Sequence, residues 1–199
     1  MDTPTTRRRP NTRGHGDVLR DEIVAAAVRM LDELADDEAL SLRAVAREVS
    51  IAATSVYLYF PDRDALVLAA MGRCHEELVA AGDAAAADAA DPAVALRARL
   101  LAQVAWAQAH PGLYKVMHES GVNRRLGMPF KEVMVERTRQ AIRSCMDAGL
   151  APVDDVATIA FDLRTAVNGL LSSRINEPDL PWPPVEEQLD RFLAKLVGV

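Results

Sequence analysis

The chain has almost no cysteine. Cys74 and Cys145 are its only two, and they lie far apart. Two such thiols make no disulfide framework and suit a reducing compartment, so a cytoplasmic location is expected. No apolar run approaches the ~18–20 residues that a bilayer-spanning helix needs, so no membrane partner is expected. The N-terminus is polar and arginine-rich with no apolar stretch behind it, which reads against a secretory signal. Catalytic signatures are absent as well. There is no P-loop, no paired-glycine nucleotide fingerprint and no nucleophile elbow. Cys74 and His75 are adjacent, so a helix points them apart. His110 and His118 are eight residues apart, beyond the i, i+4 spacing of a helical metal pair. No enzyme, metal or cofactor is expected, and a small helical enzyme is the least supported reading.

Positive charge is also scarce. The 23 Lys and Arg face 29 Asp and Glu, for a net charge of −6. That sum has the wrong sign for a nucleic-acid partner, but its distribution is uneven. Residues 1–16 carry Arg7, Arg8, Arg9 and Arg13 against Asp2, which makes them +3 and leaves −9 for the rest. DNA responds to the local field within a Debye length of ~8–10 Å, so a basic tip on an acidic body is compatible with DNA contact at one end. Residues 1–16 hold too little apolar area to form a core. They read as a flexible basic arm for phosphates or a minor groove.

From Asp17 onward the chain reads as an all-α protein. Leu19, Ile23, Ala26, Met30 and Leu34 recur at helical spacing behind a possible Asp17 cap. Ser41 caps a short helix with Leu42, Val45, Ala46 and Val49 inside. A tight turn at 50–52 leads to a second short helix, 53–60, which Pro61 ends. Asp62 caps a helix to about Ala81. The Ala/Asp-rich stretch 82–92 reads as a frayed end and a loop. Helices follow at 93–109, 113–119, 129–148, 152–175 and 184–197, with His110-Pro111-Gly112 as a helix stop. No strand pattern or repeat stands out.

Two short helices joined by a tight turn, behind a longer helix and a basic arm, are the ingredients of a helix-turn-helix. The exposed face of the second helix offers Thr54, Ser55, Tyr57 and Tyr59 to phosphates and base edges. Ser41, Arg43 and Arg63 can reach the backbone. Leu58 cannot hydrogen-bond a base and can at most meet a thymine methyl.

The stretch SLRAVAREVSIAATSVYLYFPDRDAL, residues 41–66, resembles the DNA-binding domain of the tetracycline-repressor (TetR-like) family of bacterial regulators. The marks are Ala46, the Val56-Tyr57-x-Tyr59-Phe60 run, and the Phe60-Pro61-x-Arg63-x-x-Leu66 continuation. RDEIVAAAVRMLDEL upstream fits the family's first helix. Three departures stand out. Ser50 replaces a common turn glycine, Ala52 replaces a common Ser or Thr cap, and Arg63 replaces a usual lysine. The resemblance implies DNA contacts by Ser55, Tyr57 and Tyr59, backbone anchoring by Ser41, Arg43 and Arg63, and packing by Phe60 and Val45.

It also implies an organisation: a basic arm at 1–16, a three-helix DNA-binding domain at 17–62, and a larger helical ligand-binding and dimerisation domain at 63–199. The last two helices, 152–175 and 184–197, carry wide apolar stripes that suit a four-helix homodimer interface, or alternatively close the monomer's own core. The candidate pocket residues are Trp106, His110, Tyr114, Met117, His118, Phe130, Met134 and Phe161, with Arg164 and Asn168 as polar groups at one edge. The expected function is a homodimeric repressor of a palindromic double-stranded DNA operator, released by an apolar or amphipathic small molecule. The alternative is a helical ligand- or partner-binding module that has lost DNA binding.

Overall fold

Side-chain caps set four of the helix starts. In the computed structural model, which describes residues 15–127 and 129–199, Ser41 Oγ accepts the Ala44 N–H at 3.2 Å and opens α2, Leu42–Glu48. Asp62 caps α4, Arg63–Ala86, by accepting from Ala65 N–H at 2.8 Å. Asp91 caps α5, Pro92–Ala109, and Asp155 caps α9, Val156–Asn176. Each carboxylate or hydroxyl satisfies an N–H that the helix itself leaves unpaired. The remaining helices are α1 (His15–Leu34), α3 (Ala53–Tyr57), α6 (Pro111–Glu119), α7 (Val122–Arg125), α8 (Pro129–Asp147) and α10 (Val185–Phe192), which a π-helical turn, Leu193–Val197, extends. The described residues contain no strand, as the sequence predicts.

Several boundaries differ from the sequence reading. The basic arm lies outside the described residues up to residue 14, and its last two residues already belong to α1. Inside α1 the buried face is Ile23, Val24, Ala26, Ala27 and Leu31, whereas Leu34 is 40% exposed. The expected stripe drifts off at its end because Ala26, Met30 and Leu34 follow at two successive steps of four, each turning the face by about 40°. The second helix of the helix-turn-helix stops at Tyr57, three residues early, and α4 runs five residues past Ala81 through its alanines.

Two apolar cores hold the chain together, and they do not divide it at residue 62. The first joins α1, α2 and α3 to the first two-thirds of α4, and also takes Leu113, Val116 and Met117 of α6 and Val122 of α7. The second joins α5, α8, α9, α10 and the π turn. Trp106 packs against both. The first three helices, the head, are therefore seated on α6 through packed side chains.

The seat is close. A Cβ on Gly112 would lie 1.9 Å from the carbonyl oxygen of Asp32, so only glycine lets α6 approach α1 this nearly. The Asp32 side chain completes the joint. One oxygen accepts the Leu113 N–H at 3.1 Å, and the other lies 2.9 Å from His110 Nδ1. The His110-Pro111-Gly112 stretch is thus more than a helix stop.

Candidate DNA-binding surface and interior chamber

The turn of the helix-turn-helix is a left-handed helix cap. Ser50 takes φ +54°, with its N–H donated to Arg47 O at 3.0 Å and the Ile51 N–H donated to Ala46 O at 2.9 Å. That pair of bonds makes a Schellman motif, whose left-handed position favours glycine. Ala52 gives α3 no side-chain cap. Val56 and Phe60 are buried beneath α3, so Phe60 is a packing residue of the head. Tyr57 and Leu58 project outward, 51% and 83% exposed.

The candidate contacts do not share one setting. Ser41, Arg43, Thr54, Tyr57 and Leu58 are exposed; Ser55, Tyr59 and Arg63 are half-buried. Tyr59 packs against the first core. Arg63 is engaged with Asp64 at 3.1 Å and with the carbonyl of Glu38 at 3.5 Å. Asp64 also holds Arg125 of α7 at 2.8 Å, and this bond first, with Arg63 assisting, keeps the Asp64 carboxyl below its usual range. Two cations that the sequence pattern did not single out join the surface. Arg47 is exposed one turn after Arg43 on α2, and neither has an acidic partner among the described residues. Arg20 of α1 lies 5.2 Å from the centre of the Phe60 ring. The i, i+4 spacing from Arg43 was the available signal for Arg47.

The pocket candidates fall into two groups. Tyr114 and Met117 are buried, and Trp106, His118, Phe130, Met134, Arg164 and Asn168 are half-buried. Tyr114 donates its hydroxyl to Asn168 Oδ1 at 3.3 Å and stacks on His118 at 4.3 Å. Trp106 leans on His110 at 5.1 Å. Phe161 is different. It is 51% exposed on the outer face of α9, beneath the Arg139 guanidinium at 5.5 Å, so it lines no interior space. The sequence reading turns it inward because its aromatic ring outweighs its phase on α9.

Two small voids lie inside the body. One of about 50 Å³ sits between α4, α5 and α8, and one of about 20 Å³ between α5, α8 and α9. Met134 and Gln103 border both, and Arg164 borders the second. Arg99 of α5 and Arg137 of α8, which border the first, both pair with Asp83 of α4, and the Arg99 bond is the main cause of the lowered Asp83 pKa. No helix among the described residues is long and apolar enough to cross a membrane.

A capped short helix, a Schellman turn and a second helix with an exposed polar tip, mounted on a larger helical body, define a helix-turn-helix DNA-binding regulator. Residues 23–70 match the family described as bacterial regulatory proteins, tetR family, and residues 96–197 match the tetracyclin repressor-like C-terminal domain. The chain belongs to the TetR family of transcriptional regulators and is not an enzyme. Similar solved structures include a protein with unknown function from Rhodococcus sp. RHA1, at 25% identity, TM-score 0.75, and coverage of 94% of this chain and 100% of that one. The TetR family transcriptional regulator PfmR from Thermus thermophilus matches at 22% identity, TM-score 0.64, and coverage of 87% and 96%. The fatty acid degradation regulator FadR from Bacillus halodurans matches at 14% identity, TM-score 0.74, and coverage of 94% and 97%. No curated protein matches the chain in sequence.

Proposed function

We propose that the chain is a homodimeric, ligand-responsive repressor. Each protomer sets α3 and the turn after it, residues 53–60, into a major groove of a palindromic operator. The observation that carries this reading is the outward pair Tyr57 and Leu58, 51% and 83% exposed at the tip of the head. Solvent alone gives a large apolar side chain no reason to sit there, whereas a thymine methyl and the sugar-phosphate wall do. Ser41, Arg43, Thr54 and Arg47 stand exposed nearby as phosphate anchors.

Dimerisation through α9 and α10 supplies the second half-site. On α9, Ala157, Phe161, Thr165 and Gly169 recur every fourth residue, and all four are exposed. A Cβ at Gly169 would meet nothing within 4 Å, so this ridge has room for a partner helix. Phe161 then serves the interface rather than the ligand. Operator half-sites ~34–36 Å apart need two recognition helices at that spacing. A ligand that favours a body with another spacing lowers operator affinity by its own differential affinity for the two states. Two joints relay the change: Asp32 with Gly112 and Leu113, and Asp64 with Arg125.

The experiment is selection of bound duplex from a random pool, then titration of the selected site across salt concentrations. A palindromic site is expected, with log affinity falling linearly in log salt. Tyr57→Ala and Arg43→Ala should both weaken binding. Absence of any salt-sensitive duplex binding by the full chain would sink the reading.

A further inference from the structure

The body holds one buried and three half-buried basic groups without an acid among the described residues to match them. His75 of α4 is only 6% exposed, and neither of its ring nitrogens has a hydrogen-bond partner. Its ring lies 4.6 Å from that of Phe130 on α8. Three further basic groups act on it electrostatically: Lys131 of α8, His118 of α6 and Arg164 of α9. Four helices thus each send one nitrogen base into the same region. Among the described residues, no carboxylate lies within ion-pair distance of any of the four. Lys131 Nζ donates to Asn123 Oδ1 at 2.7 Å, and Arg164 borders the 20 Å³ void beside Gln103 and Met134.

Burial first, then these like charges, push His75 down to about 3. Burial, then Arg164 and Lys131, push His118 down to about 4. Lys131 is lowered by burial and Arg164. A protein interior ordinarily neutralises such groups with a partner. Here no such partner stands among the described residues, and a polar cluster left half-matched among apolar side chains marks a ligand site. The missing half is anionic. A guanidinium fork matches a carboxylate with two parallel bonds, and a neutral imidazole still has one N–H to donate. Leu100, Leu163 and Val167 line the void beside Arg164, and Phe130 faces His75, so the neighbourhood of the bases is largely apolar.

We propose that this chamber takes an organic acid, an apolar body bearing a carboxylate that Arg164 and Lys131 bind while His75 and His118 donate beside it. The inference rests on reading the C-terminal body as the effector site. The present voids are too small for such a molecule, so entry parts α8 from α5 and α9, the helices that border them.

Thermal melting of the full-length protein with matched acid and amide probes tests this: octanoate with octanamide, phenylacetate with phenylacetamide, benzoate with benzamide. At least one acid should raise Tm in a dose-dependent way, with its amide at least tenfold weaker. Arg164→Gln and Lys131→Gln should each weaken that acid tenfold or more, while melting no lower than wild type in the absence of probe. An amide that binds as well as its acid, or an acid indifferent to both substitutions, overturns the anion and leaves the chamber standing. No binding by any acid overturns the proposal. Operator binding by the same preparation then shows whether the regulator reading fell with it.

Discussion

The tip of the head and the chamber of the body handle charge in opposite ways. At the tip, Val45 and Val56 are fully buried while Arg43 and Arg47 are exposed. In the chamber, His75 is buried and His118, Lys131 and Arg164 are half-buried. Exposed cations keep their hydration and cost the fold little, and they act over a Debye length on any polyanion. Inward bases are desolvated in advance, so they weaken the empty fold and act only on a molecule that fits. The outer set suits phosphate anchoring and association rate; the inner set suits selectivity.

The joint between the regions gives the largest expected effect. Gly112→Ala drives a methyl to within 1.9 Å of the Asp32 carbonyl oxygen, a backbone atom that cannot rotate away. Overpacking of this kind costs about 1–3 kcal/mol or more, which lowers Tm by roughly 2–4 °C for each kcal/mol in a chain of this size. If Gly112→Ala melts like wild type, the α1–α6 contact is looser than it stands here and is a poor relay.

Acid separates the two regions next. His75 and His118 are held at about 3 and about 4 in the fold, against 6.5 for a free side chain. The unfolded chain therefore takes up protons first as pH falls. Stability is complete above about 6.5 and declines from there down through the folded values, by at most about 1.4 kcal/mol per pH unit for each group. Asp64, Asp83 and Asp190 are also depressed, but from 3.8 for a free side chain, so their contribution is lost only at lower pH. Urea unfolding between pH 7 and 4.5 should show a decline that His75→Phe makes shallower and Asp83→Asn leaves alone. An unchanged slope in His75→Phe would mean that His75 is already solvated.

Outer arginines should give a smaller effect of another kind. Arg43→Ala or Arg47→Ala should leave stability within about 0.5 kcal/mol of wild type and reduce the salt slope of operator binding by about 0.9 for each lost phosphate contact. A wild-type slope in both would remove α2 from the DNA surface.

Local chemistry was legible in the sequence, and assembled chemistry was not. Ser41, Asp62 and Gly149 announce helix ends through rules that act within a few residues, and the helix boundaries there agree to within a residue or two. Phase was harder: in α1 the core takes Leu31, where the sequence stripe runs to Met30 and Leu34. The chamber left no continuous pattern, because α4, α5, α6, α8 and α9 each lend it only a few residues. Cys74 and His75 are neighbours on one helix, yet both are buried, because α4 packs on α1, α5 and α8 at once. Lys131 gave no signal, since a lysine on an amphipathic helix ordinarily faces water.

The smallest effect lies at the turn itself, where the sequence departs from a family habit and the backbone shows why it matters. Ser50 holds φ +54°, a conformation that costs an ordinary L-residue roughly 1–2 kcal/mol and glycine almost nothing. Ser50→Gly removes that strain but loosens the unfolded chain, a penalty of about 0.4–1 kcal/mol. The two nearly cancel, so Tm should stay level or rise slightly. Ser50→Val adds a β-branched side chain to the same strained position and should melt lower. The Schellman bonds from Ser50 and Ile51 fix the angle between α2 and α3, so operator affinity should follow the same order as stability, Gly at or above Ser and both above Val. A Val variant with wild-type stability and affinity would show that the turn relaxes out of the left-handed region and that α3 is aimed by its packing on Val56 alone.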